Sequence, residues 1–197
     1  MDGAEQALLD RIETAVRGLL SDPSPAVRAA ASSALDRLRA KRAAPALIRK
    51  LGAAPLEERV RIVFAAEEIG GSEGLSILLA GLSDPEPEVR GPAARALSAY
   101  PAPPVLKAMV ARLPAEKGVV LGNLLESLGK SRRRELMPIV EKYLEHPDPE
   151  VRGKAVVAYA RVTESPGWEK ILGRAAEKND TVRAAVASAL GEWTAPS

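Results

Sequence analysis

The residues of this chain that could do chemistry are acid–arginine pairs at one fixed spacing, a single histidine and two runs of cations. The pairs sit in a segment that recurs: Asp22-Pro-Ser-Pro-Ala-Val-Arg28, Asp84-Pro-Glu-Pro-Glu-Val-Arg90, His146-Pro-Asp-Pro-Glu-Val-Arg152 and Glu177-Lys-Asn-Asp-Thr-Val-Arg183. A carboxylate near a helix start is favoured by the helix dipole, and a planar guanidinium can bridge to it, so the chemistry of these charges is ion pairing. Arginines that collected phosphate would have to be exposed and unpaired. His146, the only histidine, stands at the acidic position of its copy, which gives it a structural role rather than a catalytic one. No Gly-rich phosphate loop, Ser-His-Asp set or metal-ligand spacing accompanies these residues. Absence of cysteine removes thiol nucleophiles and Cys-ligated zinc, and leaves the redox compartment open. On these grounds the chain is expected not to be an enzyme and to need neither metal nor cofactor.

The cation runs are Arg39, Lys41 and Arg42, and Lys130, Arg132, Arg133 and Arg134. Both are read as turns on one edge of the molecule. Acting together they would take a nucleic-acid backbone or an acidic partner, with a steep dependence on salt. The charge balance does not favour nucleic acid: 28 basic residues stand against 26 acidic ones, for a net charge of +2. Aromatic residues make up only 3% of the chain, so Ala, Leu, Val and Ile must fill the interior, and a roomy cofactor cleft is not expected. The N-terminus lacks the basic start and apolar run of a signal peptide, and no apolar stretch is long enough to span a bilayer. A cytoplasmic location without membrane contact is expected.

The elements that position these residues follow from the repeat. Val27, Val89, Val151 and Val182 are separated by 62, 62 and 31 residues, so the period is 31 and two weaker copies lie in the gaps. Leu8, Ile12, Val16 and Leu19 form one stripe of a first helix over 4–20. Prolines then break the chain; Ser24 can cap the next helix and Pro25 fits its first position, with Asp148, Pro149 and Asn179 as equivalents. Val27, Ala31, Ala34, Leu35 and Leu38 form the face of the second helix. One repeat is therefore two antiparallel helices. The last core residues Leu38, Ile69, Tyr100, Leu128, Val162 and Trp193 place six copies, over 4–40, 41–71, 72–101, 102–130, 131–163 and 164–194, within a single domain, 1–197. Turns are predicted at 39–42, 70–72, 101–104, 130–134 and 163–167. The proline-rich turn and the weak fourth copy mark 101–130 as the place for a bend or a weak interface.

The run Leu-x-Asp-Pro-x-Pro-x-Val-Arg followed by Ala-x-x-Ala-Leu resembles the short HEAT-like repeat of bacterial proteins, the type also named after phycobilisome lyases. The resemblance implies an all-α, right-handed α-solenoid. It also implies an inter-repeat ladder, here Asp22 with Arg28 and Asp84 with Arg90, uneven at Arg152 and Arg183 because His146 and Glu177 hold the acidic position. Deoxyhypusine hydroxylases of this fold carry paired His-Glu motifs for two irons, which one histidine cannot furnish; lyases would need an aromatic cleft, and the DNA glycosylases a basic, aromatic groove. The expectation is a scaffold or adaptor that binds a protein or peptide along the concave face of its second helices. That strip would comprise Ser33, Asp36, Phe64, Glu67, Arg95, Ser98, Asn123, Glu126, Val157 and Ser188. Small residues recur on it at Ala29, Gly91, Gly153 and Ala184, either to admit a partner or to fill a tight stack. Phe64 either anchors a partner or is buried by a slip of register. Nucleic-acid or acidic-partner binding through the edge arginines is the first alternative, and a HEAT-like enzyme or enzyme subunit the second. The last helix lacks a capping repeat, which implies a monomer or a weak end-to-end dimer through 182–193.

Overall fold

A computed structural model describes residues 3–164 and 167–193. Eleven α-helices are found among them and no strand: α1 (Gly3–Gly18), α2 (Pro25–Leu51), α3 (Leu56–Ile69), α4 (Gly71–Gly81), α5 (Pro87–Ala96), α6 (Pro103–Arg112), α7 (Gly118–Lys130), α8 (Met137–Glu141), α9 (Pro149–Val162), α10 (Trp168–Leu172) and α11 (Asp180–Gly191). Proline opens α2, α5 and α9, where its missing N–H leaves no helical bond unmade. Asp148 and Asn179 cap α9 and α11, accepting from the Glu150 and Val182 amides. Ser24 makes no such bond to α2; the Asp22 carboxylate accepts from the Ser24 amide instead. The predicted turn over 163–167 and the last repeat's end at 194 fall partly outside the described residues.

The chain forms two compact units, Met1–Ile77 and Leu78–Ser197, with the boundary inside α4. In the second unit the second helices pack in series, α5 on α7, α7 on α9 and α9 on α11, and each of α6, α8 and α10 packs on the second helix that follows it. The core runs through Val89, Ala93 and Leu97, then Leu121, Leu124 and Leu128, then Val151, Ala155 and Tyr159, then Val182, Val186 and Ala189. Each fully buried Leu or Val contributes roughly 1.5–3 kcal/mol relative to an exposed one. Helix α7 carries eight buried residues, as many as α9, so the poorly matching copy over 101–130 holds a helix embedded as deeply as that of a well-matching one. Its backbone approaches α9 closely at Gly129, where an added Cβ would lie 2.6 Å from the Ala158 Cα.

The first unit departs further from the expected pattern. Helix α2 continues through Arg39, Lys41 and Arg42, where a turn was predicted, because residues 37–44 hold only Arg, Lys, Leu and Ala, all strong helix formers. Charge alone does not stop a helix. Helix α1 buries only Leu9, while Leu8, Ile12 and Leu19 are 54%, 41% and 46% exposed. Most of the apolar stripe thus faces away from the core; of its four residues only Val16 is half-buried, and the fully buried contact is made by Leu9, next to Leu8 in sequence. Trp193 was expected at a core position, but it lies past the end of α11 and is 51% exposed.

Candidate functional site

The recurring segment folds into a clamped loop. In all four copies the arginine Nη1 donates to the carbonyls six and five residues before it: Arg28 to Asp22 and Pro23 at 2.8 and 3.0 Å, Arg90 to Asp84 and Pro85 at 2.8 and 2.7 Å, Arg152 to His146 and Pro147 at 2.8 and 3.0 Å, and Arg183 to Glu177 and Lys178 at 2.8 and 2.7 Å. The first loop residue secures the other side. Asp22 and Asp84 accept from the amides of Ser24 and Glu86 at 2.8 and 2.9 Å, and His146 Nδ1 accepts from the Asp148 amide at 3.1 Å. The imidazole therefore replaces a carboxylate in an Asx-type turn, and it stacks on Tyr143 with centroids 6.3 Å apart.

This geometry corrects the ladder. Within a repeat, Arg28 clamps main-chain oxygens while the Asp22 carboxylate turns under its own loop. The inter-repeat rung joins the arginine of one copy to the carboxylate of the next: Arg90 Nε to Glu116 at 2.8 Å, and Arg152 to Glu177 at 3.2 Å. Burial pushes the Glu116 carboxyl up, but hydrogen bonds from Arg90 and Arg112 outweigh it and hold the group below the ordinary glutamate value. These arginines spend their donors on the fold and are not arranged to collect phosphate.

Further rungs cross the face of the second helices. Asn123 donates to the Gly91 carbonyl at 3.0 Å and Ser127 to the Ala94 carbonyl at 2.8 Å. Glu126 pairs with Lys154 at 2.7 Å and Lys130 at 2.9 Å, and Arg161 with Glu192 at 2.8 Å. Hydrogen bonds from Lys154 and then Lys130 hold the Glu126 carboxyl down at about 2. Of the other residues expected on the strip, Ser33, Asp36, Glu67, Arg95 and Ser188 are exposed, Ser98 and Val157 half-buried. Phe64 is 46% exposed, so no slip of register buries it. Gly91 and Gly153 are buried and face the next helix, where added Cβ atoms would meet Asn123 at 3.7 Å and Ala185 at 3.5 Å. Gly122 belongs to the same row, and the 31-residue period could have found it.

Between α5 and α7 a groove of about 430 Å³ opens on this face, lined by Pro87, Pro92, Val119 and Val120 with Arg95, Lys117 and Asn123 at its margin. Val119 is 77% exposed, the most exposed large apolar residue described. Sequence reasoning missed it because the neighbouring Val120 is the core residue. The signal was there: the equivalent positions hold Ala26, Glu88, Glu150 and Thr181, with no large apolar side chain among them. A larger opening of about 610 Å³ by α8 and α10 is bordered by charges that pair with one another, Lys170 with Glu141 and Arg174 with Glu145. The basic runs are largely neutralised as well. Arg42 binds Asp10 at 2.6 Å and Glu13 at 2.9 Å, Arg39 binds Asp36 at 3.4 Å, and Arg134 binds Glu164. Lys41 is half-buried on α2, while Arg132 and Arg133 stay exposed in the turn after α7.

Serially packed helix pairs, clamped loops and arginine–carboxylate rungs define an all-α solenoid of short helical repeats. A family profile described as HEAT repeats matches residues 106–191, and a HEAT repeat profile matches 14–38. The chain is a HEAT-like repeat protein. Its fold is similar to that of the complex of CpcE and CpcF of phycocyanin lyase from Nostoc sp. PCC7120, with a TM-score of 0.55 and 21% identity over 91% of this chain and 76% of that one. It is also similar to human deoxyhypusine hydroxylase, with a TM-score of 0.53 and 21% identity over 77% of this chain and 62% of that one. In sequence, 106 residues are 29% identical to deoxyhypusine hydroxylase of Candida albicans, covering 53% of this chain and 33% of the enzyme. The chain thus spans a third of that relative's length. This similarity to an enzyme overturns the expectation that the chain is not one. The residues do not, however, fit a paired His-Glu iron site: His146 is the only histidine, its Nδ1 is taken by the loop, and no three His, Cys, Asp or Glu side chains converge among the described residues. No described helix is long and apolar enough to cross a membrane.

Proposed function

We propose that this chain is a protein-binding HEAT-like subunit that holds an extended or helical segment of a partner in the groove between α5 and α7. The observation that carries the reading is Val119, exposed beside Pro92 and Val120 at a position where three other copies place the polar residues Glu88, Glu150 and Thr181 and the first a small Ala26. An apolar centre with a polar margin is the usual anatomy of a recognition site. Asn123 and Arg95 at the margin supply the polar contacts, and Phe64, Ser33, Asp36 and Glu67 belong to the first unit's share of the surface. The similarities agree with a subunit of this kind, since one solved relative is a complex of two proteins named for a lyase and another is a hydroxylase. On this reading the chain works in an enzymatic setting in the cytoplasm, against a partner protein.

The test compares affinity capture from the source cell by the native chain and by Val119→Arg, with nuclease and high salt as parallel arms. Proteins retained through salt and nuclease by the native chain but lost by the variant, at an unchanged melting temperature, are the expected result. Equal retention by both would sink the groove reading, and recovery only of nuclease-sensitive material would transfer the function to Arg132 and Arg133.

A further inference from the structure

Eight residues after the valine of the repeated segment stand Leu35, Leu97, Leu128 and Leu190, but in the α9 copy the same position holds Tyr159. The exchange sets a phenol hydroxyl where the stack otherwise uses only apolar bulk. Tyr159 is 1% exposed, buried as fully as Leu97 and Leu128 at 0%. A buried hydroxyl normally has a hydrogen-bond partner, because stripping it of water without one is costly. Among the described residues the Tyr159 hydroxyl has none, and the neighbouring Thr163 hydroxyl is spent on the Met137 sulfur at 3.6 Å. An added Cβ at Gly167 would lie 2.9 Å from the Tyr159 oxygen, so the hydroxyl points to the side of α9 where α10 begins. A cavity of about 400 Å³ opens there between α8, the end of α9 and α10, lined by Tyr159, Met137, Val162 and Gly167. Four charges border it and cancel in pairs, Arg134 with Glu164 and Lys170 with Glu141.

We propose that this cavity binds a neutral, mainly apolar small molecule carrying one carbonyl oxygen, which accepts a hydrogen bond from the Tyr159 hydroxyl. Its volume falls within the range of small-molecule sites, about 300–1,000 Å³, and an apolar lining with a single well-placed polar group is their usual composition. The paired charges at its border leave no cation or carboxylate to offset the desolvation of an ionic ligand, so the ligand is neutral. One donor on the wall calls for one acceptor on the guest. The site lies wholly on α8, α9, α10 and their flanking residues. It goes beyond the groove between α5 and α7 and does not depend on that reading.

Acetophenone tests it on the full chain, beside ethylbenzene, which keeps the ring and lacks the oxygen, and benzoate, which carries a charge. The readout is the methyl resonance of Met137, with that of Met109, buried in α6, as the control. Acetophenone should move the Met137 signal saturably, leave Met109 in place and bind more tightly than benzoate. Tyr159→Phe should weaken acetophenone about fivefold and leave ethylbenzene unchanged, since only the ketone oxygen meets the hydroxyl. That variant should also melt at the native temperature or above it, because a hydroxyl that bonds nothing adds nothing to the fold. A lower melting temperature would mean that the hydroxyl serves the fold, and would overturn the proposal. A Met137 methyl that acetophenone does not move up to its solubility limit would leave the cavity to water and overturn it as well. Tighter binding of benzoate, or equal weakening of both neutral compounds by Tyr159→Phe, would have the same result. Val119→Arg should take up acetophenone like the native chain, which separates this cavity from the groove.

Discussion

His146 does with a ring nitrogen what Asp22 and Asp84 do with a carboxylate oxygen, and its structural role was legible from its place in the repeat. What no pattern could show was the partner, since residue type does not say whether an acid will face its own loop or a neighbour's guanidinium. His146→Asp should keep the loop and the melting temperature. His146→Ala should lose the bond to the Asp148 amide and cost about 1 kcal/mol, read by thermal or urea unfolding. Glu126 sets a second expectation. Its carboxyl is held at about 2, below the free value of 4.5, so its stabilising contribution is present above the free value and is lost as pH falls towards the folded one. Glu116 and Glu192 are shifted in the same direction. The urea midpoint should therefore fall on acidification through this range, and Glu126→Gln should flatten part of that fall. An unchanged slope would show that the Lys154 and Lys130 pairs are not maintained in solution.

Helices were legible where prolines punctuate them, and illegible where only charge does. Pro25, Pro87 and Pro149 open helices because ring geometry dictates it. The basic run at 39–42 carries no conformational restriction, and α2 passes through it. Glycine shows the same limit, because sequence reveals its presence but not what lies against it. An alanine at Gly91 would find ordinary contacts at 3.7 Å or more and gain helix propensity, for a stability neutral to about 1 kcal/mol higher. At Gly129 the same change would place a Cβ 2.6 Å from the Ala158 Cα, and Gly129→Ala should lose about 1–3 kcal/mol or more as α7 and α9 move apart. The rung between repeats predicts a larger effect. Glu116 has 2% of its side chain exposed and Arg90 13%, and Arg90→Met should cost about 3 kcal/mol, with Arg112 preventing a greater loss. Chemical denaturation of these three variants would rank them.

For the whole molecule, the period and the fold class could be read from four copies of one segment, whereas the distribution of burial could not. The fourth copy matches the consensus poorly, yet α7 is buried along most of its length, because Leu121, Leu124, Leu125 and Leu128 supply apolar contact without the signature residues. Consensus letters report the loop; burial depends on the face. Helix α2 buries only Ala31, Leu35, Ala44 and Leu51 over its 27 residues. Amide exchange should accordingly be more than about tenfold slower in α7 than in residues 36–43 of α2, and equal rates would mean that the two units are equally protected. The arginine clamp has a wider implication. Because Arg28, Arg90, Arg152 and Arg183 grip main-chain oxygens, the side chain just before the valine is free to differ, and it does: Ala26, Glu88, Glu150 and Thr181. Each clamped loop thus carries a tip whose chemistry can be rewritten without disturbing the scaffold, and new binding specificities could be grafted there one tip at a time.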